Sequence, residues 1–295
     1  MITRLYRIIL PLSLREKIYT IFLRNTLFFF RNFRYLVTGK SIYWFYFLFS
    51  KTEKNKAWAF IGKYGVTSYP FEASLSYRDK KTEILKDDTS NLHYVLHNNK
   101  KLFFPRHMPP EEISNLYLSL ILEQDIASPH RYIENYSDIQ GKVLVDIGSA
   151  EGIFSLDTIE YTKEVYLFEC EDYWIEALET TFAPWKDKIH IIRKYVSDCI
   201  DDSNITLDSF FYNQAEKPFF LKMDIEGAEQ AALKGANKLL SENQNTSLAV
   251  CTYHKKNDAK EIEALLSKKG FKTQFTDGYL FWNNGLRKAL LRAKL

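Results

Sequence analysis

The chain holds only three cysteines in 295 residues, Cys170, Cys199 and Cys251. They are widely spaced, odd in number and free of any CxxC pair. That excludes a disulfide framework and a cysteine zinc site, and it points to a reducing compartment. No low-complexity tract and no internal repeat is present, which excludes a solenoid. Long apolar runs are missing too. The longest uncharged run of the aromatic-rich head, Ser41 to Ser50, is about half of the roughly 20 residues that cross a bilayer. Charges interrupt every apolar stretch near the start, so a cleaved secretory signal is not expected either. Acid is scarce at both ends. Residues 1–63 carry 12 lysines and arginines against Glu16 and Glu53, and the last ten carry Arg287, Lys288, Arg292 and Lys294 against none. No nucleic-acid-binding motif accompanies this charge, so nucleic acid is not an expected partner.

What is there divides into four stretches: a basic aromatic head (1–63), a connector (64–135), an α/β body (136–285) and a basic tail (286–295). In the head, Ser13 and Glu16 form a capping-box pattern. Leu14, Ile18, Ile21, Phe22, Phe28 and Phe29 recur at helical spacing, with Arg15, Lys17, Arg24 and Arg31 between them. Such a helix suits an anionic membrane surface; it equally suits packing on its own domain or on a second subunit as a homodimer. In the connector, residues 92–106 read as a β-hairpin around "HNNKK" and 111–122 as a helix. The polar stretch "EQDIASPHRY" (123–132) then carries Glu123, Asp125, His130, Arg131 and Tyr132 as a candidate lid.

The body alternates strands with helices: strands at 142–147, 164–169, 189–196, 219–225 and 247–254, helices at 152–160, 172–182, 228–240 and 258–269. That pattern predicts a parallel, doubly wound sheet. "FKTQFTDGYLFWN" (271–283) reads as a closing antiparallel hairpin turning at Asp277–Gly278.

In such a sheet, ligands sit at the carboxyl ends of the strands. "VLVDIGSAEGIFSL" (143–156) puts Asp146, Gly148 and Gly152 at the end of the first strand. Glu169 ends the second, 23 residues after Asp146, where an acid can accept both hydroxyls of a ribose. The glycine spacing G-x-x-x-G is not the G-x-G-x-x-G of a dinucleotide site, so a nucleoside without a pyrophosphate fits better. "FFLKMDIEGAE" (219–229) ends the fourth strand with Lys222, Asp224, Glu226 and Glu229. Charges ending a buried strand are costly unless they pair or face a site.

Taken together, "VDIGSAEGIFSL", "LFECE", "TLDSFF" and "KMDIEGAEQAALKGA" resemble, in this order, the FkbM-type family of S-adenosylmethionine-dependent methyltransferases. The resemblance covers about 120 to 285. Where the family often reads Asp-x-Gly-Ala-Asn-x-Gly, this chain has Ser149-Ala150-Glu151 between its glycines. The resemblance implies a class I methyltransferase fold, a Rossmann-like seven-stranded sheet, and O-methyl transfer onto sugars or related acceptors. It implies S-adenosyl-L-methionine held by Asp146, Gly148, Ser149, Gly152, Glu169 and Tyr132, with Asp198 as a looser candidate near the adenine. A hydroxyl acceptor is a weak nucleophile, and a general base helps by roughly 10²–10⁴-fold. Asp224, Glu226, His254 and His130 are the candidates. Asp224 with Glu226 is also an arrangement that can hold a divalent cation, a second and less favoured reading. Three functions stay open: a sugar or glycan O-methyltransferase, cytoplasmic and peripheral on the inner membrane face; a methyltransferase of a soluble small molecule; and a non-catalytic nucleoside-binding fold.

Overall fold

The structure, a computed structural model, describes residues 24–214 and 216–295. The chain divides into two units, residues 1–70 and 71–295. Of the helix expected from Ser13, the part through Phe22 lies outside the described residues.

In the first unit, helices α1 (Arg24–Trp44) and α2 (Glu53–Tyr64) pack on each other. Thr52 caps α2, its hydroxyl accepting the Asn55 N–H. Asn32, Tyr35, Gly39 and Ile42 form the buried face of α1, and Ala57, Phe60 and Ile61 that of α2. The backbones touch at two glycines: a Cβ on Gly62 would lie 2.1 Å from the Gly39 carbonyl oxygen.

The second unit opens with an antiparallel ribbon, β1 (Leu85–Lys86), β2 (His93–His97) and β3 (Lys100–Phe103), then helix α3 (Pro110–Glu123). The hairpin turn is Asn98–Asn99, both at positive φ, which Asn tolerates. The body follows: β4 (Val143–Ile147), α4 (Ile153–Thr158), β5 (Glu164–Phe168), α5 (Asp172–Phe182), β6 (Ile189–Ile192), β7 (Tyr195–Val196), β8 (Asn204–Ile205), α6 (Leu207–Phe210), β9 (Phe219–Met223), α7 (Glu229–Lys234), α8 (Asn237–Glu242), β10 (Ser247–Cys251), α9 (Asp258–Lys268), β11 (Lys272–Phe275), β12 (Leu280–Trp282), β13 (Gly285–Arg287) and β14 (Leu290–Lys294).

Seven strands form one sheet in the order β11-β14-β10-β9-β4-β5-β6. It is parallel from β6 to β10, with β14 antiparallel to both β10 and β11. Every residue of β4 and β9 is buried, as strands covered on both faces must be. One face packs Val145, Leu221, Val250 and Leu291 against Ala232, Leu240, Ile262 and Leu266 of the helices. The opposite face carries Asp146 beside Lys222 in register, under α4. Because β4 pairs with β5 on one side and β9 on the other, the strand order reverses there, and a crevice opens at the carboxyl ends.

The C-terminal pairing corrects the sequence reading. Lys272–Phe275 pairs not with 280–282 across Asp277–Gly278 but with Leu290–Lys294, from the segment read as a tail. Leu280–Trp282 instead pairs with Gly285–Arg287 in a separate ribbon turning at Asn283–Asn284. The helix expected over 228–240 is two, parted at Gly235, where a Cβ would lie 1.9 Å from the Ser197 carbonyl oxygen. The strand expected over 189–196 breaks into β6 and β7.

Candidate active site

The β4–α4 turn runs close under the end of β9. Gly148 has φ +75°, and a Cβ there would sit 2.2 Å from the Asp224 carbonyl oxygen, so the position admits only glycine. Asp146 does not reach the crevice. It is buried, its Oδ1 2.8 Å from Lys222 Nζ, and its Oδ2 accepts from the Ser155 hydroxyl at 2.6 Å. Lys222 also donates to the Gly148 carbonyl at 2.6 Å, so this ion pair fixes the turn from below. Asp146 and a neighbouring carboxylate, Asp224, raise the Lys222 ammonium against the opposing effect of burial. Gly152 also serves packing: a Cβ there would press on Phe182 and Leu178 of α5. Ser149 is buried, and its hydroxyl has no hydrogen-bond partner.

Glu169 ends β5 and lines a cleft of about 500 Å³ with Gly148, Ala150, Phe168, Tyr195 and Ile225. Its Oε2 accepts the Ala150 N–H and its Oε1 those of Cys170 and Glu171, each at 2.8 Å. Three N–H groups fill three of the roughly four acceptor directions of a carboxylate, leaving one for a ligand hydroxyl rather than the two expected. Asp198 is exposed and outside the cleft lining; Lys194 to Ser197 and Asn204 supply that wall instead.

Beyond Gly148 lies a titratable cluster. Asp224 follows β9, its side chain 19% exposed and facing the cleft. It accepts from the Tyr132 hydroxyl at 2.8 Å and the Tyr253 hydroxyl at 3.4 Å. His130 Nε2 is 3.5 Å away on one side and His254 Nε2 3.4 Å away on the other. Burial would push the Asp224 carboxyl up, but the charges at His130, Lys222 and His254 and the Tyr132 hydroxyl outweigh it and hold the pKa below its usual value. His130 is 1% exposed, and its burial drives its pKa down to about 4. It stays neutral near pH 7 and meets Tyr253 and Cys251.

His254 has the opposite balance. Burial lowers its pKa, but the Glu229 hydrogen bond and the Asp224, Glu229 and Glu226 charges raise it above the ordinary imidazole value. Its Nδ1 lies 2.8 Å from Glu229 Oε1, an oxygen that also accepts the N–H groups of Ile225 and Gly227. The network assigns the proton to Nδ1, which donates to Glu229 and leaves the Nε2 lone pair free. Nε2 is buried without a hydrogen-bond partner and points between Asp224 and Glu226. Glu226 sits on the rim, its side chain 84% exposed and its φ at +52°, a strained turn that Gly227 at +95° continues.

The structure thus places Gly148, Glu169, Asp224 and Glu226 in the lining of one crevice, with His254, His130 and Tyr132 packed against Asp224, and leaves Asp146, Ser149, Gly152 and Asp198 outside the lining. The "SPHRY" segment is a wall, not a free lid: Ser128, His130 and Tyr132 are buried. Sequence reasoning named Glu229 among the strand-end charges without giving it a role, and it missed Tyr253 and Cys251 as members of the cluster. The one available signal was an acid five residues past Asp224. Two trios place ligand-like atoms within 4.8 Å: His130, Asp224 and Cys251, and Asp224, Glu229 and His254. Neither includes Glu226, so the less favoured Asp224–Glu226 cation reading gains no third ligand among the described residues. Burial pushes the Cys251 thiol well up, and Glu229 Oε1 is already engaged by Nδ1 and two N–H groups. These groups suit proton handling better than a cation cage.

Comparison with known proteins bears on the same region. A sequence profile described as the Methyltransferase FkbM domain matches residues 70–273. Among solved structures, the FkbM methyltransferase of Methylobacillus flagellatus KT aligns at 19% identity, covering 61% of this chain and 52% of that one, with a TM-score of 0.42. This chain spans about half the length of that protein. A precorrin-8w decarboxylase of Methanobacterium thermoautotrophicum aligns at 13% identity over 72% of this chain and 100% of that one, TM-score 0.39. A putative RNA methyltransferase of Pyrococcus horikoshii aligns at 15% identity over 75% and 93%, TM-score 0.36. No curated protein matches.

Proposed function

Since the chain belongs to the family of the Methyltransferase FkbM domain, we propose that it is an S-adenosylmethionine-dependent O-methyltransferase acting on a sugar hydroxyl of a glycan or lipid-linked saccharide. The observation that carries the chemistry is the free Nε2 of His254, fixed by Glu229 and aimed between Asp224 and Glu226 beside the Gly148 turn.

The cleft suits the cofactor. Glu169 keeps one acceptor direction for a ribose hydroxyl, Phe168 and Ile225 offer apolar walls, and Gly148 brings backbone rather than a side chain to the surface. The buried Ser149 hydroxyl, lacking any partner, is a further polar group at this turn. When bound, the cofactor supplies an electrophilic methyl group on a sulfonium. The chain's own residues then position the acceptor and manage one proton. An acceptor O–H donates to His254 Nε2, and Asp224 accepts from a neighbouring hydroxyl. As the proton moves to Nε2, the carboxylates of Glu229 and Asp224 stabilise the imidazolium. Tyr132 and Tyr253 hold Asp224 ionised and oriented. Vicinal hydroxyls match the adjacent Asp224, His254 and Glu226, which is why a sugar suits the site.

The location rests on the first unit. No helix among the described residues is long and apolar enough to cross a membrane. Yet Phe30, Phe33, Val37 and Trp44 of α1 are exposed, at a spacing that puts them on one face, opposite Tyr35, Gly39 and Ile42. Arg34 and Lys40 flank that face. Interfacial docking on anionic lipid accounts for it, and a self-associating face is the alternative that a salt series on vesicles separates.

The test is methyl transfer from labelled cofactor to cell-envelope saccharides. Turnover is expected with the parent and a loss of roughly 10²-fold or more in His254→Ala, with cofactor affinity unchanged within about tenfold. Equal turnover in the variant refutes the assigned base.

A further inference from the structure

A second cavity, of about 510 Å³, opens at the other end of the sheet, where β10 and β11 begin and β14 ends. Five residues of strand separate it from the cleft, roughly 16 Å. Lysines crowd its mouth. Lys272 stands directly opposite Lys294 across β11 and β14, and Lys294 directly opposite Ser247 across β14 and β10. The Ser247 hydroxyl in turn accepts from Lys142 Nζ at 2.7 Å. Lys272 and Lys294 therefore share one row across neighbouring strands, and Lys142, just before β4, joins them through the Ser247 hydroxyl. Like charges directly opposite each other destabilise a strand pair, so the row is unfavourable unless something negative joins it.

Among the described residues the chain supplies no direct ion pair to these lysines. Two acids line the cavity, and both are committed. Glu134 pairs with Arg292 at 2.6 Å, and Asp138 accepts the N–H groups of Glu134 and Asn135. No carboxylate among the described residues lies within ion-pair distance of Lys142, Lys272 or Lys294. Burial lowers the Lys142 pKa; Asp138 opposes this and Lys294 adds to it.

We propose that this cavity is a binding site for a small multi-anion of the phosphate class, held by Lys142, Lys272 and Lys294 with the Ser247 hydroxyl. Its size matches ordinary small-ligand sites, and ammonium-to-phosphate hydrogen bonds are of the strong, charge-assisted kind. The site is separate from the methyl-transfer cleft, and a chain of hydrogen bonds connects the two. Arg292 donates to the carbonyls of Arg131 and Tyr132, and the Tyr132 hydroxyl reaches Asp224.

The probe is inorganic pyrophosphate, titrated calorimetrically into the full chain at low salt. Saturable binding tighter than about 1 mM is expected. Lys272→Gln/Lys294→Gln should weaken it tenfold or more, while Lys260→Gln/Lys268→Gln on α9, with the same change in net charge, should not. Both variants should bind S-adenosylhomocysteine as the parent does, which reports that the fold is intact. Absence of saturable binding overturns the site, as does an equal loss in the two double variants, which would mark nonspecific attraction. A lipid-borne phosphate is a second source of the same group. Competition between pyrophosphate and phosphatidic acid vesicles would assign the occupant to lipid, and independence of the two would assign it to a soluble anion.

Discussion

Replacing Glu229 by Gln removes one charge from a fully buried position and leaves the shape nearly unchanged. In the parent, Glu229 Oε1 accepts a hydrogen bond from His254 Nδ1 at 2.8 Å, with Asp224 Oδ1 3.4 Å from the other ring nitrogen. A hydrogen bond to a charged partner contributes about 1.5–3 kcal/mol against about 1 for a neutral one. The imidazolium should therefore lose about 1–2 kcal/mol, or about one pKa unit downward at 1.36 kcal/mol per unit. Nitrogen-15 spectra of the six histidine rings, with His254 assigned through His254→Gln, read this without any acceptor. The parent His254 should titrate above the ordinary value of about 6.5, and the variant about one unit lower. The parent's rate on its acceptor should rise through that same elevated midpoint, because the base acts when deprotonated. A parent midpoint at or below 6.5, or an unmoved midpoint in Glu229→Gln, would refute the Glu229–His254 relay.

Lys222→Met leaves Asp146 charged, buried and unpaired, which costs about 3–5 kcal/mol and should appear as a large drop in melting temperature. Adding Asp146→Asn should recover much of it; no recovery would mean Lys222 acts through the Gly148 carbonyl instead. His130, held near pKa 4, refuses a proton that the unfolded chain takes up below about 6.5. Its contribution is therefore complete above that pH and lost as pH falls toward 4, on the order of 3 kcal/mol at the limit. His130→Gln should flatten denaturant-measured stability across pH 4–6.5, and an identical slope would show that His130 is not the group responsible.

Much of the fold was legible because β4 and β9 are covered on both faces, so "VLVDI" and "FFLKM" read as continuous apolar runs ending in charge. The C-terminal pairing was not. Asp277–Gly278 is a local turn signal, whereas the partner of Lys272–Phe275 is chosen by burial: Leu291 and Ala293 face the core while Arg292 reaches the 131–134 segment. In "LLRAK" that alternation is too short to outweigh its charges, and it reads as a tail. Asp224, Glu169 and His254 were legible as polar groups at strand ends. Glu229 was named with them, but its pairing with His254 was not legible, because the two meet only after the strained Glu226–Gly227 turn folds Glu229 back. Nor did sequence distinguish an acid facing the cleft, Glu169, from one buried against a lysine, Asp146. That depends on a β9 neighbour 76 residues further along the chain, Lys222.

The central claim is that the crevice between Gly148, Glu169 and Asp224 is a cofactor site, and calorimetric titration with S-adenosylhomocysteine tests it most directly. The parent should bind, and Glu169→Gln, which loses the charged acceptor, should bind weaker by about 1.5–3 kcal/mol, or roughly 10- to 150-fold. Tyr195→Ala, which removes a half-exposed wall of the same cleft, should also weaken binding while leaving the melting temperature close to the parent's. No binding by the parent, or equal affinity in all three proteins, would contradict the assignment.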